Sequence, residues 1–322
     1  MPAPRVSILI PTYNGRADLE RLLPVLAAQE VAGGLEIVAL DSESRDGTLE
    51  VLKKAGVRTA SIAQKDFGHG LARNRLGSMA RGEWLVFLSQ DALPVGRDFV
   101  ETLIAPLADP DVAGVWARNL PHPSDDALTV RSLLASIESS PISRQVRLPE
   151  GQCLADLAPA ERVSLTRFNN VASAMGRATL QAQPFPEVPF GEDSAWAARV
   201  LGAGRSLAYV AEAVVLHTHR YGPRSAFDRY RQDAAFLRDV HGLIVRPSLW
   251  SVLRGVAFEL REDLRYLRSE GGSLGDWVRA PGLRLGQVLG QWRGSRAGGS
   301  GAADEAADGG ADANADEGAT QG

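Results

Sequence analysis

Two rhythms of apolar and polar residues alternate along the N-terminal part of the chain. "RVSILI" (5–10), "LEIVAL" (35–40) and "RTASI" (58–62) read as strands. Trp84, Leu85, Val86, Phe87 and Leu88 form the unbroken apolar run of a central strand covered on both faces. Between these, "ADLERLLPVLAAQ" (17–29) places Leu19, Leu22, Leu23 and Leu26 on one helical face. "DGTLEVLKKAG" (46–56) and "GLARNRLGSMARG" (70–82) read as further helices, with Gly56 suited to a C-terminal end. The connections are far too long for hairpins, so the pattern predicts a parallel α/β sheet with right-handed crossovers.

In such sheets ligands bind beyond the carboxyl ends of the strands. Asp41 stands at one such end and Ser89-Gln90-Asp91 at another, before Pro94 stops the sheet. Neighbouring strand-tip carboxylates point to a cation or a polar ligand. The first strand–helix turn, "PTYNG", is not glycine-rich, and no GxxxxGK[ST] occurs, which excludes the usual dinucleotide and P-loop sites. Each acid also has a plainer reading. Asp91 closes a turn, and Glu192-Asp193 in "FGEDSAW" caps a helix, since acids favour helix N-termini.

Composition narrows the picture. The 322 residues hold one large domain or two smaller ones, and 44% hydrophobic content is ample for a core. The single cysteine, Cys153, excludes a disulfide framework and a Cys-based zinc site. The apolar run before Pro11 is too short for a signal segment or a membrane span, so the expectation is a soluble or peripheral protein. The net charge of −4 is unevenly spread: residues 297–322 carry six acids and no base. With nothing aliphatic larger than alanine, that stretch reads as a disordered acidic tail. Residues 218–296 are the reverse, with fourteen Arg against eight acids.

"VSILIPTYNG", "DSESRDGT", "GLARNRLGSMARGEWLVFLSQDA", "PFGEDSAWAARVLGAG" and "AVVLHTHRYG" follow one another across residues 5–235. In this order the sequence resembles the family 2 glycosyltransferases. "DFGHGLARN", "FLSQDALP" and "HTHRYGPRSAFDRYRQDAAF" are most similar to the bacterial rhamnosyltransferase group. The implied fold is α/β: the GT-A nucleotide-diphospho-sugar transferase fold, a mainly parallel sheet flanked by helices, with C-terminal helices added. The resemblance assigns nucleotide contacts to Pro11, Thr12, Tyr13, Asp41, Ser44 and Gln90, and places Asp46 and Arg73 at the diphosphate. Ser89-Gln90-Asp91 occupies the family's Asp-x-Asp position for a divalent cation; the first acid is a serine here, leaving Asp91 as the principal carboxylate.

The chemistry has its own logic. A nucleoside diphosphate gathers charge as it leaves, and Mg²⁺ or Mn²⁺ on oxygen ligands neutralises it. His217 and His219 in "AVVLHTHR" alternate along an expected strand and so share a face with each other. Either completes the metal site with Asp91, and a nitrogen ligand makes Mn²⁺ at least as suitable as Mg²⁺. By resemblance Asp193 is the base that takes the acceptor proton, with Glu192 beside it, and one direct displacement inverts the anomeric carbon. The resemblance sets Asn170 and Trp196 at the acceptor.

The helical stretches "LWSVLRGVAFELREDLRYL" and "WVRAPGLRLGQVLGQW" leave two readings open: interfacial helices on an anionic membrane, or a pair packed on the catalytic domain or a partner subunit in a homo-oligomer. No motif supports nucleic-acid binding. The expected division is a GT-A domain over 1–240, an amphipathic helical region over 241–296 and the tail over 297–322. The expected activity is transfer of a sugar, L-rhamnose from dTDP-L-rhamnose, to a saccharide or lipid-linked acceptor in surface polysaccharide synthesis. The alternatives are another nucleotide-sugar donor, such as a UDP-sugar, or a non-catalytic nucleotide-sugar binder. The implied location is the cytoplasm, with peripheral contact at the inner face of the cytoplasmic membrane.

Overall fold

The expected alternation is present in the computed structural model, which describes residues 3–296; the acidic stretch 297–322 lies outside the described residues. The chain runs β1 (Val6–Thr12), α1 (Arg16–Ala27), β2 (Leu35–Asp41), α2 (Thr48–Lys54), β3 (Arg58–Ser61), α3 (His69–Met79), β4 (Trp84–Leu88), β5 (Leu93–Pro94), α4 (Phe99–Ile104) and β6 (Val112–Leu120). It continues through α5 (Ala127–Leu134), β7 (Arg144–Val146), α6 (Pro159–Leu165), β8 (Ala172–Gly176), α7 (Arg177–Ala182), α8 (Glu192–Gly202), β9 (Ser206–Leu216), α9 (Pro223–His241), α10 (Leu249–Glu270) and α11 (Leu274–Arg296). The described residues form two compact units. The first holds the residues up to Ser124 and Ser132–Thr218; the second holds Asp125–Arg131 and the residues from His219 onward.

The first unit is built on one nine-stranded sheet of order β3-β2-β1-β4-β8-β6-β9-β5, with β7 also paired to β9. From β3 to β4 every ladder is parallel, as the long crossovers require. Beyond β4 the sheet turns mixed, because β8 enters antiparallel between β4 and β6. The continuous apolar runs of β1 and β4 have a simple cause: both faces are covered. Val6, Ile8, Ile10, Val86 and Leu88 enter one core with the leucines of α1, while Leu9, Leu85 and Phe87 enter the other with Trp116, Phe168 and Trp196.

The second unit is helical. Leu128, Ala226, Leu267, Ala280 and Leu283 form its apolar cluster. α9, which the sequence pattern groups with the first domain, lies directly along α11. Cβ atoms added at Gly286, Gly290 and Gly294 would fall 2.1–2.3 Å from the carbonyl oxygens of Pro223, Phe227 and Arg231. Glycine every fourth residue therefore leaves a smooth strip along which two helix backbones touch.

Candidate active site

The parallel register sets the strand tips side by side, Thr12 opposite Asp41. Thr12 Oγ1 donates to Asp41 Oδ1 (3.0 Å), as does Ser44 Oγ (2.6 Å), and the Ser44 N–H donates to Asp41 Oδ2 (2.9 Å). Asp41 is fully buried and holds the loop after β2 in shape. Asp46 has a similar task at two helix starts. It accepts from the N–H of Arg16 (2.9 Å) and from the N–H and hydroxyl of Thr48 (3.1 and 2.5 Å). Burial acts to raise its pKa, but the Thr48 hydroxyl and the two amides together hold it below the ordinary carboxylate range.

Gln90 is tied to the first turn by a reciprocal pair. The Tyr13 N–H donates to its Oε1 (2.9 Å), and its Nε2 donates to the Tyr13 carbonyl (3.0 Å). Gly15 makes this contact possible, since a Cβ there would lie 2.3 Å from Gln90 Oε1. Pro11 is partly exposed at the same edge.

Asp91 follows β4 and precedes β5, whose Leu93 is opposite Leu216 in an antiparallel ladder. That register carries Asp91 to the residues just past β9, and its Oδ2 lies 3.4 Å from His217 Nε2. The expected strand stops at Leu216, so His217 and His219 lie just past its end rather than along it. The His217 N–H still bonds the Leu120 carbonyl (3.0 Å), whereas His219 opens the second unit. A carboxylate oxygen and an imidazole nitrogen this close form a donor set that fits Mg²⁺ or Mn²⁺.

The second cluster forms at the start of α8. Gly191, in the left-handed region at φ 79°, is the N-cap, so neither following acid takes that position. Glu192 turns inward instead: its Oε1 accepts from Arg73 Nη1 (2.6 Å) and, more weakly, Asn170 Nδ2 (3.4 Å). Asn170 is held in turn by the Ser173 hydroxyl (2.8 Å). The segment before α8 is pinned to α3 because Asn74 exchanges two bonds with the backbone of Phe185, each 2.9 Å. That contact carries Glu192 onto Arg73.

Asp193 remains partly exposed, and one of its oxygens accepts from the Ser194 N–H (2.7 Å). Burial, then the charge of Glu192, push its pKa up to about 7, against the opposing pull of the Ser194 amide and Arg73. A carboxylate with a pKa close to neutrality is suited to accepting a proton.

Several expected ligand contacts turn inward here. Trp196 is wholly buried; its ring packs on Phe168 and Phe185 at centroid distances of 4.9 and 5.5 Å, and its Nε1 bonds the Gln183 carbonyl (2.8 Å). It lies on the inner face of α8 with Ala197, Val200 and Leu201, so it supports the acids from below and has no surface for an acceptor. Arg73, 7% exposed, faces Glu192, while Asp41 and Asp46 serve the loops. One contributor escapes the sequence pattern altogether. Glu138, from a single helical turn with no motif, adds its negative charge to the field at Asp193 and accepts from Arg167 Nη1 (3.0 Å). Only the folded chain brings it there.

Residues 7–159 match the glycosyl transferase family 2 domain. The chain is 29% identical over 235 residues to the O-antigen chain rhamnosyltransferase RfbN of Salmonella typhimurium, covering 72% of each. It is 28% identical over 237 residues to the O-antigen chain rhamnosyltransferase WbaN of Salmonella anatum, again 72% of each. In three dimensions it is similar to the mannosyltransferase PcManGT of Pyrobaculum calidifontis, solved with GDP-Man and Mn²⁺. The TM-score is 0.57 at 19% identity, covering 91% of this chain and 86% of that one. The chain is accordingly a glycosyltransferase of GT-A fold and rhamnosyltransferase-like sequence, with its family 2 domain at residues 7–159.

Proposed function

We propose that the chain is an inverting, metal-assisted transferase acting in surface polysaccharide synthesis. It moves L-rhamnose from dTDP-L-rhamnose to a saccharide or lipid-linked acceptor on the cytoplasmic side of the membrane. The two O-antigen rhamnosyltransferase relatives support the donor and the pathway class. The observation that carries the mechanism is Asp193, partly open to solvent and pushed up to about 7 beside the Arg73–Glu192 pair. In this reading the acceptor hydroxyl lies against Asp193, which takes its proton as the oxygen attacks the anomeric carbon. The new carbon–oxygen bond forms as the bond to the diphosphate breaks, and that electron pair leaves with the nucleoside diphosphate. Attack opposite the leaving group inverts the centre. Glu192 holds Arg73 and fixes the start of α8, and Thr12, Tyr13, Ser44 and Gln90 shape the nucleotide edge. A divalent cation bound by Asp91 and His217, with His219 as a further candidate ligand, would neutralise charge on the departing diphosphate.

The test is a panel of nucleotide sugars read two ways, by thermal shift with and without Mn²⁺ and by nucleoside diphosphate release with an acceptor. A ligand that binds only the folded state raises its melting temperature, so dTDP-L-rhamnose should give the largest shift. Asp91→Ala should remove the Mn²⁺-dependent part of that shift. Consumption of a different donor would replace rhamnose in this proposal. Binding without release would favour a non-catalytic binder, the reading that Ser89 at the first Asp-x-Asp position favours.

A further inference from the structure

Independently of that reaction, we propose that the outward face of α10 is a docking surface for an anionic phospholipid membrane. α10 has two unlike faces. Val252, Gly255, Asp263 and Leu267 are buried against the rest of the second unit. Opposite them Trp250, Leu253 and Phe258 are 66%, 62% and 54% exposed. Arg254, Arg261, Arg265 and Arg268 stand exposed on the same side. Trp250, Arg254, Phe258 and Arg261 line one shallow groove, and Arg261, Leu264, Arg265 and Arg268 line a second along the same helix. At about 1.5 Å per residue the 22-residue helix offers a strip roughly 33 Å long. The nearest acid, Glu262, accepts from Arg261 and Arg265, so the strip keeps a surplus of guanidinium charge.

Two chemistries must be satisfied together by any occupant. Nucleic acid or an acidic protein matches the arginines but leaves three bulky apolar side chains wet. An apolar partner covers those side chains but strands the charge. A membrane interface meets both needs, with lipid phosphates against the arginines and Trp, Leu and Phe at the acyl boundary. No described helix is long and apolar enough to cross a membrane, so α10 would lie along its surface.

A competing occupant exists within the chain. Residues 297–322, with six acids and no base, follow α11. The end of α11 adjoins the residues before α10, because Arg246 bonds Gln291 Oε1 (3.0 Å) and Ser295 Oγ (3.3 Å).

The experiment sediments the full chain with vesicles of phosphatidylcholine alone or mixed with phosphatidylglycerol. Binding is expected only with the mixed vesicles, and salt should weaken it. Replacing Arg254, Arg261 and Arg265 together by Gln should weaken it on the order of 10²-fold, at roughly fivefold per arginine. Trp250→Ala with Leu253→Ala should weaken it at least about tenfold. All these positions are exposed, so melting temperature and turnover on a soluble acceptor should stay as in the wild type. Full binding by either variant overturns the proposal, as does equal binding to both vesicles. Binding that appears only after residues 297–322 are removed assigns the face to that segment instead. Self-association lost in the Trp250 variant, with no vesicle binding, assigns it to a second copy; either result overturns the membrane.

Discussion

Each compact unit buries an arginine against a carboxylate, and the two pairs are completed differently. In the second unit Arg284 is 2% exposed and gives Nε and Nη2 to Asp263 (2.7 and 2.8 Å) and Nη1 to Gln287 (2.6 Å). Arg131 adds Nη1 to Asp263 and to Glu259, both at 2.8 Å. Every nitrogen of Arg284 has a partner, and both oxygens of Asp263 are taken. In the first unit Arg73 gives Nη1 to Glu192 and to the His69 carbonyl (3.2 Å), but its Nε is buried without a partner. Next to it stands Asp193, whose ionisation burial and then the charge of Glu192 disfavour. A closed network of matched charges holds helices in register; an incompletely matched one beside a perturbed carboxyl is the arrangement found where chemistry occurs.

The largest effect that would break this contrast is on rate. Asp193→Asn keeps the size of the side chain but cannot take the acceptor's proton, so turnover at saturating donor and acceptor should fall about 10²–10⁴-fold. Its melting temperature should hold. Glu192→Gln should cost less in rate, since Glu192 positions Arg73 rather than moving a proton. Equal turnover in both variants and the wild type would reduce "FGED" to a helix start.

Next comes stability. Asp263→Ala leaves the buried Arg284 and the half-buried Arg131 without their shared partner and should cost about 3–5 kcal/mol in urea unfolding, with donor turnover retained under folded conditions. Arg73→Ala strands Glu192 and should lower both stability and turnover. If the two variants behave alike, the closed and open pairs are not different kinds of site.

The pH dependence separates them further. Asp193 holds its proton up to about 7 in the folded chain, whereas an unfolded carboxyl loses it near about 3.9. Below that lower value its contribution to stability is fully present. Between the two values the unfolded state binds fewer protons, so the contribution falls as pH rises and is gone above about 7. Turnover should climb through the same window as Asp193 ionises. Paired melting and rate profiles should therefore run in opposite directions, and Asp193→Asn should flatten both. A wild-type rate that is flat across the window would remove Asp193 as the base.

What the sequence makes legible divides along a similar line. Strand–helix alternation through Leu88 depends on local runs, apolar on both faces in β1 and β4, and it is correct to within a few residues. The placing of β8 between β4 and β6 is a long-range pairing with no local signature. Asp193 and Glu192 are legible as a motif, with Asp193 as the base by resemblance, but the buried pairing of Glu192 is not. It arises when Asn74 pins the segment before α8 and Arg73 meets Glu192. Trp196 misleads because an aromatic in an amphipathic helix near two acids suits a binding surface as well as a core. Its neighbours Ala197, Val200 and Leu201, at helical spacing, are the signal that it points inward.

The smallest prediction concerns glycines, where two opposed terms of similar size decide the sign. Gly to Ala inside a helix gains about 1 kcal/mol of propensity. At Gly202, in the last turn of α8, an added Cβ meets nothing within 4 Å, so Gly202→Ala should be stabilising by up to that amount. At Gly290 the same methyl would sit 2.3 Å from the Phe227 carbonyl oxygen and 3.1 Å from the Arg231 nitrogen, both backbone atoms that no rotamer change can move. Overpacking of this kind typically costs about 1–3 kcal/mol, more than the propensity gain. Gly290→Ala should therefore lower the urea midpoint by forcing α9 and α11 apart, while Gly202→Ala raises it slightly. If both raise it, the glycine strip is only a run of poor helix formers, and the second unit is held by its closed ion network rather than by backbone contact.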